Sequence, residues 1–217
     1  MFLLLHSSGG QIEPAYLISK CCKKQGAKFV VAVPRLAKSA ATLIALGADE
    51  IHMGIISELG PIDPQVGNYP ALGLGAAVEM IAKLARTPGS SDMLAKYLSS
   101  KLDLRDLGYL ERVSASATQY AERLLADKEL PSDLTAQKIA KKLVYDYKDH
   151  SFVIDIDEAI SLLGENTIRS GTPEYQLANS LHELLSIVTL AYTFKDKMFK
   201  IIGSLGSGIY IWDKPEE

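Results

Sequence analysis

A serine stands where a loop turns into a helix in "VAVPRLAKSAATLIA" (Val31 to Ala45), directly after an apolar run that reads as a buried strand. Taken alone, Ser39 reads as a helix N-cap, a common use of serine at such a boundary. A second segment gives it another meaning. "LLLHSSGGQIEPA" (Leu3 to Ala15) is also an apolar run, which stops at small polar residues and passes through Gly9-Gly10 into a helical pattern. Glycines at such a turn permit positive φ, or let backbone N–H groups face a ligand without obstruction. If the two strands are parallel neighbours, both turns lie beyond the carboxyl ends of the strands, at one edge of the sheet. A serine hydroxyl and two backbone donors about 3 Å from a developing oxyanion are the minimum equipment for acyl transfer.

The elements that would position these groups follow from the hydrophobic pattern. Ile12 to Gln25 predicts a helix on a sheet, closed by Gly26, with Lys20, Lys23 and Lys24 near its end where cations suit the dipole. "KFVVAVP" predicts a second buried strand and "RLAK" a loop. "SAATLIALGADEI" predicts a helix from near Ser39 to Gly47, and "EIHMG" a third short strand. Two β-α units in about fifty residues imply a parallel sheet with right-handed crossovers. "SELGPIDPQVGNYPALGLG" is rich in Gly and Pro and reads as a loop. Beyond Ala76 the pattern is almost purely helical. "LRDLGYLERVSASATQYAERLL" sets Leu107, Leu110, Val113, Ala117, Tyr120 and Leu124 on one stripe, and "PSDLTAQKIAKKLVYDY" predicts a helix capped near Ser132 or Asp133. "DEAISLLG" predicts a short helix, "TPEYQLANSLHELLSIVTLAY" a long one with Pro173 early, and "MFKIIGSLGSGIYIW" a hairpin. The expected division is a core over residues 1–75 and a helical extension over residues 76–217 that ends in the hairpin. A first strand with nothing before it suggests that an upstream β-α element is missing.

Composition narrows the function. The 217 residues are 47% hydrophobic and 23% charged, enough to bury a full core, and the formal net charge is -3 with no basic run. That leaves no electrostatic footprint for nucleic acid. No apolar stretch approaches the ~18 residues of a membrane span. Cys21 and Cys22 are adjacent on a predicted helix, which suits neither a disulfide nor a zinc site, so two reduced thiols in a cytoplasmic setting are expected. No nucleotide-binding loop is present, and neither a metal nor a cofactor is expected.

"LLLHSSGGQIEPA", "VAVPRLAKSAATLIALGADEIHMG" and "SELGPIDPQ", followed by "DHSFVIDIDEAISLLG" and "TPEYQLANSLHELLS", resemble the serine dehydrogenase proteinase family over nearly the whole chain. The family is a branch of the fold shared by Clp protease subunits, signal peptide peptidase A and crotonases. The resemblance implies an α/β fold whose core is a Clp/crotonase-like β-β-α superhelix with a parallel sheet, followed by a helical C-terminal region. It implies serine peptidase activity on a peptide or protein substrate, with Ser39 as nucleophile, and assembly into a homo-oligomer. The oxyanion hole it implies is the amide of Gly9 or Gly10 together with that of Ala40. Relatives carry a further strand and helix before this point, so the chain is expected to start inside the domain. Two departures stand out: Ser8 replaces the usual proline before Gly-Gly, and Ala41 the usual glycine after the nucleophile. Two alternatives share the fold: a crotonase-like acyl-thioester enzyme, which has no need of Ser39, and an inactive assembly subunit.

A nucleophilic serine needs a base. His6 reads as a strand-end residue, His52 as a surface or satisfied sheet residue, and His182 as solvated on a helix. His150 lies in the loop "YKDHSFVID", and the Ser, Asp, His order described for the family selects it. Among Asp49, Asp63, Asp146 and Asp149, Asp63 in the proline-framed "GPIDPQ" is the expected orienting acid; as an isolated residue it also reads as a turn cap. Asp149 reads equally as a loop cap. Some relatives of the fold use a Ser-Lys dyad. Lys38 is expected to point away from Ser39, and Lys83 and Lys138 to be solvated.

Overall fold

The structure, a computed structural model, describes residues 1–66, 69–70, 73, 79–83, 86, 96, 104–193, 198–204 and 208–214. Four short strands, β1 (Phe2–Leu4), β2 (Val30–Val33), β4 (Glu50–Met53) and β8 (Ile168–Arg169), form a parallel sheet in the order β1-β2-β4-β8. Leu3, Val31, Ile51 and Ile168 share one row across it. Val31 and Ile51 are fully buried, as parallel strands covered on both faces must be. Helices α1 (Ile12–Lys24) and α2 (Ala40–Leu46) make the crossovers, and they pack on each other.

A second, smaller ladder runs beside the sheet. Here β3 (Leu36–Ala37) pairs in parallel with β5 (Glu58–Leu59), Ser7 bridges Ala37 on one side, and Leu59 pairs antiparallel with Ile154 on the other. Each of the β2-β3-α2 and β4-β5 steps therefore places one strand in the main sheet and the next in the ladder. This is the expected β-β-α arrangement. The reading of "RLAK" as a plain loop is corrected: Leu36 and Ala37 are a strand because Ser7 and Glu58 supply partners that no local pattern reveals. Two further two-residue strands, β6 (Gln65–Val66) and β7 (Tyr69–Pro70), pair antiparallel inside the expected Gly/Pro-rich loop.

Helix α3 (Leu104–Leu125) buries Ser114, Ala117, Ala121 and Leu125. That stripe is rotated slightly from the predicted one: Val113, Tyr120 and Leu124 are only partly buried, and the side chains of Leu107 and Leu110 lie outside the described residues. Helix α4 (Ala136–Lys141) starts later than Ser132 or Asp133. Pro131 and Leu134 close a turn first (2.9 Å), and Thr135 takes the cap, accepting from the Lys138 amide at 3.2 Å. A π-helical turn, Lys142–Asp146, continues α4. Helix α5 (Ile156–Leu163) is capped by Asp155, whose carboxylate accepts from the Glu158 amide at 2.9 Å. Strand β8 follows it and was not expected from sequence. Helix α6 (Pro173–Thr193) runs against β2 and β4, and β9 (Met198–Ser204) and β10 (Gly208–Lys214) form the expected antiparallel hairpin. The predicted helical pattern between residues 76 and 103 falls largely outside the described residues. One hydrophobic core takes Val31, Leu43, Leu46 and Met53 from the first 75 residues and Ala117, Ile139, Leu163 and Ile168 from the rest.

Candidate active site

Ser39 occupies the N-cap position of α2 without acting as a cap: its side chain makes no capping hydrogen bond, and its backbone sits at φ 53°, ψ -122°. Among the described residues it is the only non-glycine with positive φ. Such a conformation costs on the order of 1–3 kcal/mol and persists only where the surroundings enforce it. Here Thr42 does much of the enforcing. Its buried hydroxyl lies 2.6 Å from the Ala37 carbonyl and accepts from the Gly60 amide at 3.1 Å, so the turn before α2 and the segment after β5 are tied together. Ala41, at the position where glycine was expected, is buried in the core.

The Gly9-Gly10 turn lies directly on Ser39. A Cβ on Gly9, whose φ is +120°, would come within 2.7 Å of Ser39 Cβ and 3.0 Å of the Lys38 carbonyl oxygen, so only glycine permits this approach. The Gly9 amide donates to Ser7 Oγ at 3.1 Å. The amides of Gly10 and Ala40 have no hydrogen-bond partner among the described residues.

Asp63 and His150, 87 residues apart in sequence, meet: His150 Nδ1 lies 2.7 Å from Asp63 Oδ1. Asp63 is buried, and its other oxygen accepts from Gln65 Nε2 at 3.1 Å. The segment that carries His150 is fixed at both ends to the segment that carries Asp63. On one side the Ile62 amide donates to the Leu143 carbonyl (2.9 Å), within the π-helical turn; on the other, Leu59 and Ile154 exchange two backbone bonds of 2.9 and 3.0 Å. A π turn breaks the regular i to i-4 ladder, and Leu143 spends its carbonyl on the Asp63 segment. The Asp63 carboxylate raises the His150 pKa above its usual value, against an opposing effect of burial and a smaller one from Lys38. A hydrogen bond through Nδ1 leaves Nε2 as the nitrogen able to accept a proton.

The other sequence candidates fall elsewhere. Of the two readings of His52, the structure shows the sheet residue and not the surface one: it is buried, with Nδ1 2.7 Å from Thr172 Oγ1 and Nε2 3.4 Å from Glu50. His182 is not fully solvated, since its ring stacks on His6 with centroids 4.3 Å apart. Burial lowers the pKa of both, and among the described residues neither bonds a carboxylate that would orient it as a base. Asp49 binds Lys23 and the Phe29 amide, and Asp149 accepts from the Ser151 amide at 2.6 Å as a loop cap. Lys83 is exposed, and so is the contact from Lys138 to the Asp133 carbonyl at 3.0 Å. Lys38, expected to point away from Ser39, makes no side-chain bond to it and reaches the His150 loop, where Nζ donates to the Ser151 carbonyl. Sequence reasoning also passed over Thr42; its only signal was a hydroxyl one helical turn beyond Ser39. Among the described residues no cluster of His, Cys, Asp or Glu could hold a metal, and both cysteines are free thiols.

A parallel sheet, a side ladder and a serine turn packed on a glycine turn define a ClpP-like fold. The chain belongs to the family described as ClpP-like SDH-type serine proteinase, whose model matches residues 1–167. Two uncharacterized proteins of Methanocaldococcus jannaschii are similar to it, one 32% identical over 160 residues (74% of this chain and 51% of that protein), the other 29% identical over 156 residues (72% and 48%). The chain thus spans about half the length of the curated relatives it matches. A mutant of the membrane-bound stomatin-specific protease 1510-N matches with a TM-score of 0.48 at 14% identity, over 87% of this chain and 68% of that one. No helix among the described residues is long and apolar enough to cross a membrane.

Proposed function

We propose that the protein is a serine peptidase in which Ser39 is the nucleophile, His150 the general base and Asp63 the acid that orients it. The observation that carries this reading is the 2.7 Å contact between His150 Nδ1 and Asp63, on segments tied to the strained Ser39 turn. In this mechanism His150 Nε2 takes the proton from Ser39 Oγ as the oxygen attacks the carbonyl carbon of the peptide. Asp63 accepts from Nδ1–H, which fixes the tautomer and stabilises the imidazolium. The carbonyl oxygen becomes an oxyanion between the amides of Gly10 and Ala40, neither of which has a hydrogen-bond partner among the described residues. Collapse breaks the C–N bond, the leaving amine takes the proton from His150, and water releases the acyl group by the same steps in reverse order.

The test is labelling by a fluorophosphonate, which phosphonylates an activated serine. Wild type should label and Ser39→Ala should not, with unchanged circular dichroism; equal labelling of the two would remove Ser39 from the role. Homo-oligomeric assembly belongs to the same proposal. Helix α6 exposes Leu177, Leu181, Leu184 and Ile187, more apolar surface than a solvated helix ordinarily carries. Light scattering that finds a monomer at micromolar concentration would contradict it.

A further inference from the structure

Lys38 immediately precedes Ser39, yet its side chain is only 15% exposed. Lysine is seldom held this way unless its ammonium has partners, because ordering four rotatable bonds opposes it. Two partners are present. Lys38 Nζ donates to the Ser151 carbonyl at 2.8 Å and lies 3.2 Å from Glu58 Oε2. The stem needs room, and Gly60 provides it: a Cβ there would come within 2.9 Å of Lys38 Cγ and 3.0 Å of Lys38 Cβ. The backbone of Lys38 is also engaged. Its amide donates to the Ser7 carbonyl at 3.0 Å, and its carbonyl accepts from the Ala41 amide at 2.9 Å. One residue therefore touches the glycine turn, the serine turn and the His150 loop.

That loop has need of a tie. Asp149, Ser151, Phe152 and Val153 are all exposed, and the backbone bonds to Leu143 and Ile154 lie outside the stretch they form. Within the stretch, Asp149 accepts from the Ser151 amide and its carbonyl from the Phe152 amide, which shapes a turn, and the Phe152 ring packs on Tyr147 with centroids 4.8 Å apart, which holds the turn to the end of the π-helical segment but not to the Ser39 or Asp63 segments. Among the described residues the attachments of this turn to the catalytic segments are the His150–Asp63 bond and the Lys38–Ser151 bond.

We propose that Lys38 is a positioning residue that latches the His150 loop to the Ser39 turn through the Ser151 carbonyl. Its effect on the reaction rests on the serine peptidase reading; the latch itself rests on the geometry alone. Glu58 pairs with the ammonium, and His150, which Asp63 and Asp149 also influence, feels its charge across the loop.

Lys38→Met keeps the stem and removes the ammonium; Lys38→Arg keeps a cationic donor. Two readouts are paired on each variant: the rate of fluorophosphonate labelling and amide hydrogen exchange over residues 149–153. Lys38→Met should label about 10- to 100-fold more slowly and exchange faster over the loop, while Lys38→Arg recovers most of both. Wild-type exchange in Lys38→Met overturns the latch whatever the labelling does. Faster exchange with wild-type labelling overturns the positioning role and leaves the peptidase reading standing. If wild type itself fails to label, the peptidase reading falls, and loop exchange still decides the latch. Should Lys38→Met not fold, Glu58→Gln, which weakens the same ammonium site from the other side, is expected to raise loop exchange, and no change there counts against the latch.

Discussion

Replacing Gly9 by alanine puts a methyl group into the contact on which the site is built. The added Cβ would lie 2.7 Å from Ser39 Cβ and 3.0 Å from the Lys38 carbonyl oxygen, neither of which is the free end of a flexible chain. Relief to an ordinary carbon contact requires the two turns to part by about 1 Å. A φ of +120° is also one that an L-residue adopts only under strain. Backbone strain of about 1–3 kcal/mol and overpacking of about 1–3 kcal/mol together predict a loss of roughly 2–6 kcal/mol. For a chain of this length each kcal/mol moves the melting temperature by about 2–4 °C, so a fall of roughly 5–20 °C is expected. Chemistry should suffer separately. A displacement of about 1 Å between the proposed nucleophile and the proposed oxyanion donors would cost on the order of 100-fold in rate. The assay is the second-order rate of fluorophosphonate labelling, read beside thermal unfolding and below the melting temperature of the variant. Gly10→Ala separates strain from contact: a Cβ there meets nothing within 4 Å, although its φ of +157° is also strained for an L-residue, so it should lower the melting temperature less than Gly9→Ala does. If Gly9→Ala labels and melts like wild type, the close approach of the two turns does not govern reactivity, and the account of the site fails at its base.

Further outcomes are expected. Because Asp63 raises the His150 pKa, labelling should rise with pH through a midpoint above about 6.5; Asp63→Asn should move that midpoint down and lower turnover by about 10³- to 10⁴-fold. The same pair sets a stability sign: the contribution of protonated His150 is full below its unfolded pKa and fades as pH rises through the folded one, so Asp63→Asn should destabilise more at pH 5.5 than at pH 8.5 in urea titrations. Ser39→Gly should be more stable than Ser39→Ala by about 1 kcal/mol in chemical denaturation, since only glycine relieves the positive φ; equal stability would mean that the turn is unstrained. Burial lowers the Lys128 pKa from 10.5 to about 8. Below pH 8 that buried charge weighs against folding, and stability should climb between about pH 8 and 10.5, by at most about 3 kcal/mol, in wild type but not in Lys128→Met.

How far the sequence discloses this molecule depends on whether a feature is local. The β1, β2 and β4 strands, the Gly9-Gly10 turn and the start of α2 are all written in runs of apolar residues that break at small ones. Strand β3 is not, because Leu36 and Ala37 become a strand only when Ser7 and Glu58 arrive beside them. Strand β8 is hidden for the same reason: Ile168 and Arg169 are two residues whose pairing with Ile51 and His52 is tertiary. His52 reads as either a surface or a satisfied sheet residue, and sequence alone does not choose, because the groups that bury it, Thr172 and α6, come 120 residues later. Lys38 is the plainest case. A lysine beside a nucleophile gives no sign in sequence of reaching a carbonyl 113 residues away.

What the fold adds is a reason for the distance between Ser39 and its partners along the chain. The β-β-α repeat returns the chain to the same sheet edge after every strand, so the Gly9-Gly10 turn follows β1, Ser39 follows β2 and β3, and Asp63 follows β4 and β5. The proposed base cannot come from the next step of that repeat, because His150 belongs to the segment after α3 and α4. It must be brought back, and the bonds that bring it back, Leu143 to Ile62, Ile154 to Leu59 and Lys38 to Ser151, all end on or beside the ladder of β3 and β5. That ladder buries little, since its strands are two residues each. Its contribution is alignment: the ladder runs from Ser7 beside the glycine turn, through the residues before Ser39, to Leu59 and Ile154, so a shift of one rung would move the glycine turn, the serine and the His150–Asp63 pair out of register together. The strain held at Ser39 is affordable only because Thr42, Gly60 and Lys38 fix that register from three directions at once.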